Sequence, residues 1–223
     1  MPFRNRPLVN GQIYHVINRG VAQSPIFLDK KDYVNCLNRL FYYRAKQKTR
    51  FSYLPRFKNQ LHYTQPYNIV TKPFIEIIAY CFMPNHFHLL LRQATDDGIS
   101  VFMNNYLDSY VRYFNTKHKR RGPLFEGRFK AIRIETDEQL LHVSRYIHLN
   151  PYSSFIVKTV DQVFSYPYSS LDQYLTNQDS KVIDKKVVLD FFKTPTLYKE
   201  FVKDQADYQQ KLDLIKHLTL EVQ

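Results

Sequence analysis

Cysteine is scarce in this sequence. Two residues, Cys36 and Cys81, stand far apart without metal-type spacing, which argues against a disulfide framework or a zinc knuckle and leaves both as expected buried thiols. Five glycines in 223 residues leave little room for a glycine-rich phosphate loop. No apolar run reaches the roughly 18 residues of a membrane span, and the first six residues lack the apolar stretch of a secretory signal, so a cytoplasmic protein without a membrane partner is expected. Acidic residues are also few. Twenty Asp and Glu face 32 Lys and Arg, a formal charge of +12 with a pI near 9.5, and such an imbalance points to a polyanion, nucleic acid before anionic membrane.

Aromatics are plentiful, with 18 Tyr and 17 Phe within a hydrophobic fraction of 44%, so the chain can bury a core. The positive charge is uneven. Residues 1–151 carry 23 basic against 10 acidic side chains, whereas residues 152–223 carry 9 against 10. Within the first part, Arg112, Lys117, Lys119, Arg120, Arg121, Arg128, Lys130 and Arg133 face only Glu126, and these eight are the candidate DNA contacts. Tyr110, Tyr113, Phe114, Phe125 and Phe129 interleave with them, which suggests base stacking beside a cationic groove. A run of this kind is otherwise read as a solvated surface.

Periodicity predicts a strand over Gln12–Asn18, a helix from Asp29 to about Gln47, and strands at Pro73–Phe82 and His86–Arg92 joined by a turn at Met83-Pro84-Asn85. A second helix follows from Gly98 to the basic run, then a strand at Arg128–Glu135. A third helix opens on the capping box Thr136 to Gln139 and is expected to stop at Asn150-Pro151. Residues 49–72 read as an inserted loop, and weak helical patterns lie near 181–193 and 196–218. The order βαββαβ predicts an α+β, ferredoxin-like antiparallel sheet with an added helix, residues 1–151 forming the catalytic domain and 152–223 a C-terminal extension. Fold alone assigns no function.

On a strand, His86 and His88 leave the same face and could chelate one cation, although a bare His-x-His is more often a hydrogen-bonded surface pair. Helix three offers His142, Tyr146 and Asn150 along one stripe, where the amide oxygen of Asn150 could join a metal and the phenol of Tyr146 would lie beside it. A phenol next to a divalent ion and a phosphodiester suggests covalent phosphoryl transfer. Spacing does not single out Tyr146 among 18 tyrosines; Tyr43, Tyr110 and Tyr113 remain alternatives.

Five pieces resemble a known family, the single-tyrosine His-hydrophobe-His transposases of the insertion-sequence-200-like kind, closest to REP-associated tyrosine transposases. They are residues 14–20 (YHVINRG), 83–90 (MPNHFHLL), 122–130 (GPLFEGRFK), 146–151 (YIHLNP) and 166–170 (YPYSS), in that order. The resemblance implies that His86, His88 and Asn150 bind Mg²⁺ or Mn²⁺, that Tyr146 is the nucleophile, and that single-stranded DNA is cut near a hairpin through a 5′-phosphotyrosine. It implies a prokaryotic, nucleoid-associated protein, and leaves both a monomer and a homodimer open. The sequence departs from the family pattern in the length of loop 49–72 and in carrying Tyr168 where many members have tryptophan. The alternative is a non-catalytic hairpin or single-strand DNA-binding protein on the same fold. A third reading, a hydrolase of small phosphoesters, leaves the basic stretch without a purpose.

Overall fold

The computed structural model describes residues 7–54, 72–176, 180 and 182–211. Four strands form one sheet: β1 (Ile13–Arg19), β2 (Ile75–Met83), β3 (His86–Gln93) and β4 (Lys130–Arg133), in the spatial order β2-β3-β1-β4 with every neighbouring pair antiparallel. This order is the split βαβ, ferredoxin-like arrangement expected from the sequence.

The alternation of side chains divides the sheet into two faces. On one, Phe82, Phe87 and Leu89 meet α1 (Lys30–Tyr43) and α2 (Gly98–Lys117), with Phe87 edge-on to Tyr106 and Phe82 against Phe27. The side chain of Asp29 caps α1 by accepting from the Asp32 amide at 3.0 Å. Gly98 opens α2 where a Cβ would lie 2.2 Å from the Phe74 carbonyl oxygen, so only glycine fits that approach. The other face carries His15, Ile17, His86 and His88 and is partly covered by α3 (Asp137–Ser153), which packs over β2 and β3. Among the described residues no helix packs over the half of this face at β4, where Ile132 is more than half exposed.

The third helix does not stop at Asn150-Pro151. It runs through Pro151 to Ser153 and ends when the Ser154 amide bonds the Asn150 carbonyl. A proline in the last turn forfeits one hydrogen bond, and Pro151 is buried together with Ile147 and Leu149, so packing outweighs the loss. The cap at Thr136 is as expected on one side, its hydroxyl accepting from the Gln139 amide at 3.2 Å, but the Gln139 side chain reaches back to the Glu135 amide. Of the inserted loop, residues 55–71 lie outside the described residues; Phe51–Tyr53 form a short 3-10 turn.

After α3 the described residues form α4 (Val160–Val163), α5 (Leu171–Tyr174), α6 (Lys186–Leu189) and α7 (Pro195–Asp204), and residues 206–211 are helical again. The α6 helix is shorter than the pattern near 181–193, whereas α7 and residues 206–211 take up most of the pattern near 196–218, of which 212–218 lie outside the described residues. The segment before α5 lines the outer edge of β2: the Phe82 amide donates to Tyr168 and the Ser170 amide to Tyr80, while the Tyr166 and Tyr174 hydroxyls donate to the Phe82 and Ile78 carbonyls at 2.8 Å. These bonds blunt an otherwise open strand edge. Buried Leu171, Tyr174, Val188, Tyr198 and Val202 join the same hydrophobic cluster as the sheet. Cys36 and Cys81 are free and buried, as expected.

Candidate active site

The turn between β2 and β3 sets the position of His86. The Gly20 amide donates to the Asn85 carbonyl and the Ile26 amide to that of Pro84, each at 2.8 Å, so the loop after β1 is laced to the turn. The Asn85 side-chain amide donates to the Gln23 carbonyl at 3.2 Å, which fixes the amide orientation and turns its oxygen toward His86 Nδ1 at 2.7 Å. That nitrogen must therefore carry the proton. Its Nε2 then faces the side-chain amide of Asn150, 3.3 Å from Oδ1.

His88 is prepared similarly from the neighbouring strand. His15 Nε2 lies 2.9 Å from His88 Nδ1 and the two rings stack with centroids 5.1 Å apart. Burial lowers the His15 pKa to about 4 and holds that of His88 well below the ordinary value, with the His86 and His15 rings adding to the effect on His88, so both are neutral near pH 7. His88 Nε2 is buried without a hydrogen-bond partner, as is Asn150 Nδ2. Buried polar atoms without partners are uncommon and invite a specific account.

The ring of Tyr146 stands edge-on to His88 with centroids 5.3 Å apart, and edge-on to His15 at 6.0 Å. It is half-buried. The structure thus brings His86, His88, Tyr146 and Asn150 together. His142, one turn earlier on α3, is exposed and accepts at Nδ1 from Arg145 at 2.8 Å. His148 points into the core between the Tyr198 hydroxyl at 2.7 Å and Ser170 Oγ at 2.9 Å, tying α3 to α7 and to the segment along β2. Among the described residues no cluster of three His, Cys, Asp or Glu side chains could hold a metal, so a cation here needs the amide of Asn150 beside the two imidazoles. Two neutral imidazole lone pairs and an amide oxygen fit a divalent cation of the first transition row.

The basic stretch spreads round the sheet. Lys130 pairs with Ile17, which pairs with His88, so the three share one row on the histidine face. Arg133 lies on the opposite face, its guanidinium donating to Gln12 at 2.9 Å. Lys119 and Arg121 are exposed beyond the end of α2, where Arg120 donates to Asn115 and the Gly122 carbonyl; Arg128 is exposed before β4. Arg112 and Lys117 sit on α2, across the sheet from the histidines. Arg112 pairs with Asp108 at the surface. Lys117 bridges Asp29 and the fully buried Asp32, both at 2.7 Å, and this lifts its pKa above the usual lysine range against the opposing effect of burial. The interleaved aromatics do not form a stacking platform: Tyr110 and Phe114 are core residues, Phe125 is buried, and Tyr113 and Phe129 are half-buried.

Three residues near the site escaped the sequence reading. His15 and Asn85 act on the histidines from neighbouring elements. Arg19 pairs directly with His86 across β1 and β3, so its side chain rises on the same face about 5 Å away. It is largely exposed and bonded to Glu126. The register of β1 against β3 is the signal that finds them, and it requires the β3-β1 neighbourhood that a fold assignment alone supplies.

Residues 45–150 match the family model described as Transposase IS200 like. Nearly half of the chain thus resembles the IS200-like transposases. A putative REP-associated tyrosine transposase of Haemophilus influenzae is 28% identical over 129 residues, which cover 53% of this chain and 71% of that protein. The solved structure of a REP-associated tyrosine transposase bound to a REP hairpin superposes with a TM-score of 0.52 at 16% identity, covering 82% of this chain and 94% of that one, a likeness of fold. The matched family segment contains the His86 to Asn150 constellation, while His15 and Arg19 precede it.

Proposed function

We propose that this IS200-like transposase relative nicks and rejoins single-stranded DNA at a hairpin, with Tyr146 as nucleophile and His86, His88 and Asn150 as the ligands of a divalent cation. The observation that carries the reading is the meeting of four side chains: the Tyr146 ring stands against His88, whose Nε2 is buried without a hydrogen-bond partner, and Asn150 faces the adjoining His86. Imidazole favours softer ions, so Mn²⁺ binds more tightly than Mg²⁺. When bound, the cation would polarise the scissile phosphate and favour phenolate over phenol.

The chain's own residues supply the rest. Asn85 and His15 hold the two imidazoles in the tautomers that present Nε2. Arg19 and Lys130 offer positive charge on the histidine face, where a phosphodiester would lie beside Tyr146. The Tyr146 oxygen attacks phosphorus, a 3′-hydroxyl leaves with the proton, and a 5′-phosphotyrosine remains. Attack by another 3′-hydroxyl reverses the step and frees the tyrosine, so nicking and strand transfer share one intermediate. The placement of Tyr146 beside His88 of the same chain supports a reaction in which each subunit uses its own tyrosine.

The test uses labelled single strands bearing a hairpin, incubated with protein and Mn²⁺ and resolved under denaturing conditions. A covalent protein–DNA adduct that disappears in Tyr146→Phe is expected. Hairpin binding without any adduct would favour a DNA-binding protein that performs no cleavage.

A further inference from the structure

On the face of the molecule away from His86 and His88, a cleft of about 580 Å³ opens between α1, the turn at residues 50–54 and α2. Its floor is Arg39, only 3% exposed. The guanidinium lies between two aromatic rings, 4.3 Å from the centroid of Phe51 and 5.0 Å from that of Tyr113, and donates to Ser109 and Asn35. No carboxylate meets it among the described residues, and residues 55–71 contain no Asp or Glu that could. A buried cation without a counter-ion is costly, and contact with aromatic rings returns only part of that cost. Burial lowers its pKa to about 10, which still leaves it charged near neutrality.

The rest of the lining adds to the positive charge. Exposed Arg50 stands at the rim and meets no carboxylate among the described residues. Asp108 is the one acidic residue in the lining, and Arg112 pairs with it. Lys117 is taken by Asp29 and Asp32. The cleft thus has two guanidiniums that meet no carboxylate among the described residues, apolar surface from Tyr43 and Leu54, and a size within the range of small-molecule sites. Guanidinium forks suit phosphate oxygens.

We propose that this cleft binds a nucleoside phosphate unit, the phosphate on Arg39 and Arg50 and the remainder along Tyr43 and Leu54. The unit comes either from a free nucleotide or from a DNA strand passing over the far face. The site is separate from the proposed Tyr146 chemistry and stands or falls independently of it.

The experiment is calorimetric titration of the full chain with dAMP, with inorganic phosphate and with a fifteen-residue oligo-dT, in wild type, Arg50→Ala, Arg39→Met and Tyr146→Phe. Binding of dAMP that is tighter than phosphate, weakened about tenfold by Arg50→Ala and unchanged by Tyr146→Phe supports the site with a free nucleotide as its source. Binding of oligo-dT alone, weakened by Arg50→Ala to the same extent, supports it with a strand as the source. Neither ligand responding to Arg50→Ala overturns it, as does phosphate binding as tightly as dAMP. Thermal denaturation checks whether Arg39→Met folds; if it does not, exposed Arg50 carries the decision.

Discussion

His15 Nε2 and His88 Nδ1 lie 2.9 Å apart on adjacent strands, so the nitrogen that His88 turns toward α3 is set by a residue 73 positions earlier. Two neutral imidazoles in such contact share one proton. If His88 is to give a lone pair at Nε2, its Nδ1 must donate and His15 must accept.

His15→Phe removes the acceptor and should weaken Mn²⁺ binding about 10- to 100-fold, the usual cost of losing a partner behind a metal-binding histidine. His15→Gln, whose side-chain oxygen can accept, should recover part of the affinity. Electron paramagnetic resonance titration of Mn²⁺ reads this directly, and thermal melting separates it from a loss of packing. Equal affinity for Phe and Gln variants would show that His15 does not orient His88.

Lys117→Met should destabilise the protein by about 3 kcal/mol in urea denaturation, because it strips the buried Asp32 of its ammonium partner. Its effect on DNA affinity should be small by comparison. A variant of unchanged stability but weak DNA binding would return Lys117 to the DNA surface.

The two sides of the basic stretch can be told apart by salt. Arg19→Ala and Lys130→Ala should each weaken binding of a hairpin-bearing strand and reduce the slope of log affinity against log salt by about one unit. Arg112→Ala, across the sheet and paired with Asp108, should leave the hairpin slope unchanged. The reverse pattern would put the hairpin over α2.

Tyr198→Phe should cost about 1 to 3 kcal/mol of stability by leaving buried His148 Nδ1 without its hydroxyl partner. The loss should appear in one cooperative transition by both fluorescence and circular dichroism, since α7 shares the core of the sheet. Two separate transitions would mean that the C-terminal part folds on its own.

The elements of the sheet were legible because β1, β2 and β3 carry strong alternation or continuous apolar runs, and α1 and α2 carry clear helical periods. The end of α3 was not, because local rules at Asn150-Pro151 predict a stop while the burial of Pro151 is a tertiary effect. That His86, His88, Tyr146 and Asn150 lie near one another was legible by spacing together with resemblance. His15 and Arg19 were not, since nothing local to residues 14–20 reveals that β3 lies alongside. Charge counting also did not show that Lys117 is engaged by Asp29 and Asp32, or that Tyr110 and Phe114 face the core, as the helical period of α2 rather than composition determines.

The central claim is that the Tyr146 oxygen forms the bond to DNA. Wild-type protein should be incubated with a hairpin-bearing single strand and Mn²⁺, digested with nuclease and protease, and its peptides sequenced by mass spectrometry. The account predicts a nucleotide attached through phosphate to Tyr146. Attachment to Tyr43, Tyr110, Tyr113 or any other residue, or cleaved strands with every peptide unmodified, would contradict it.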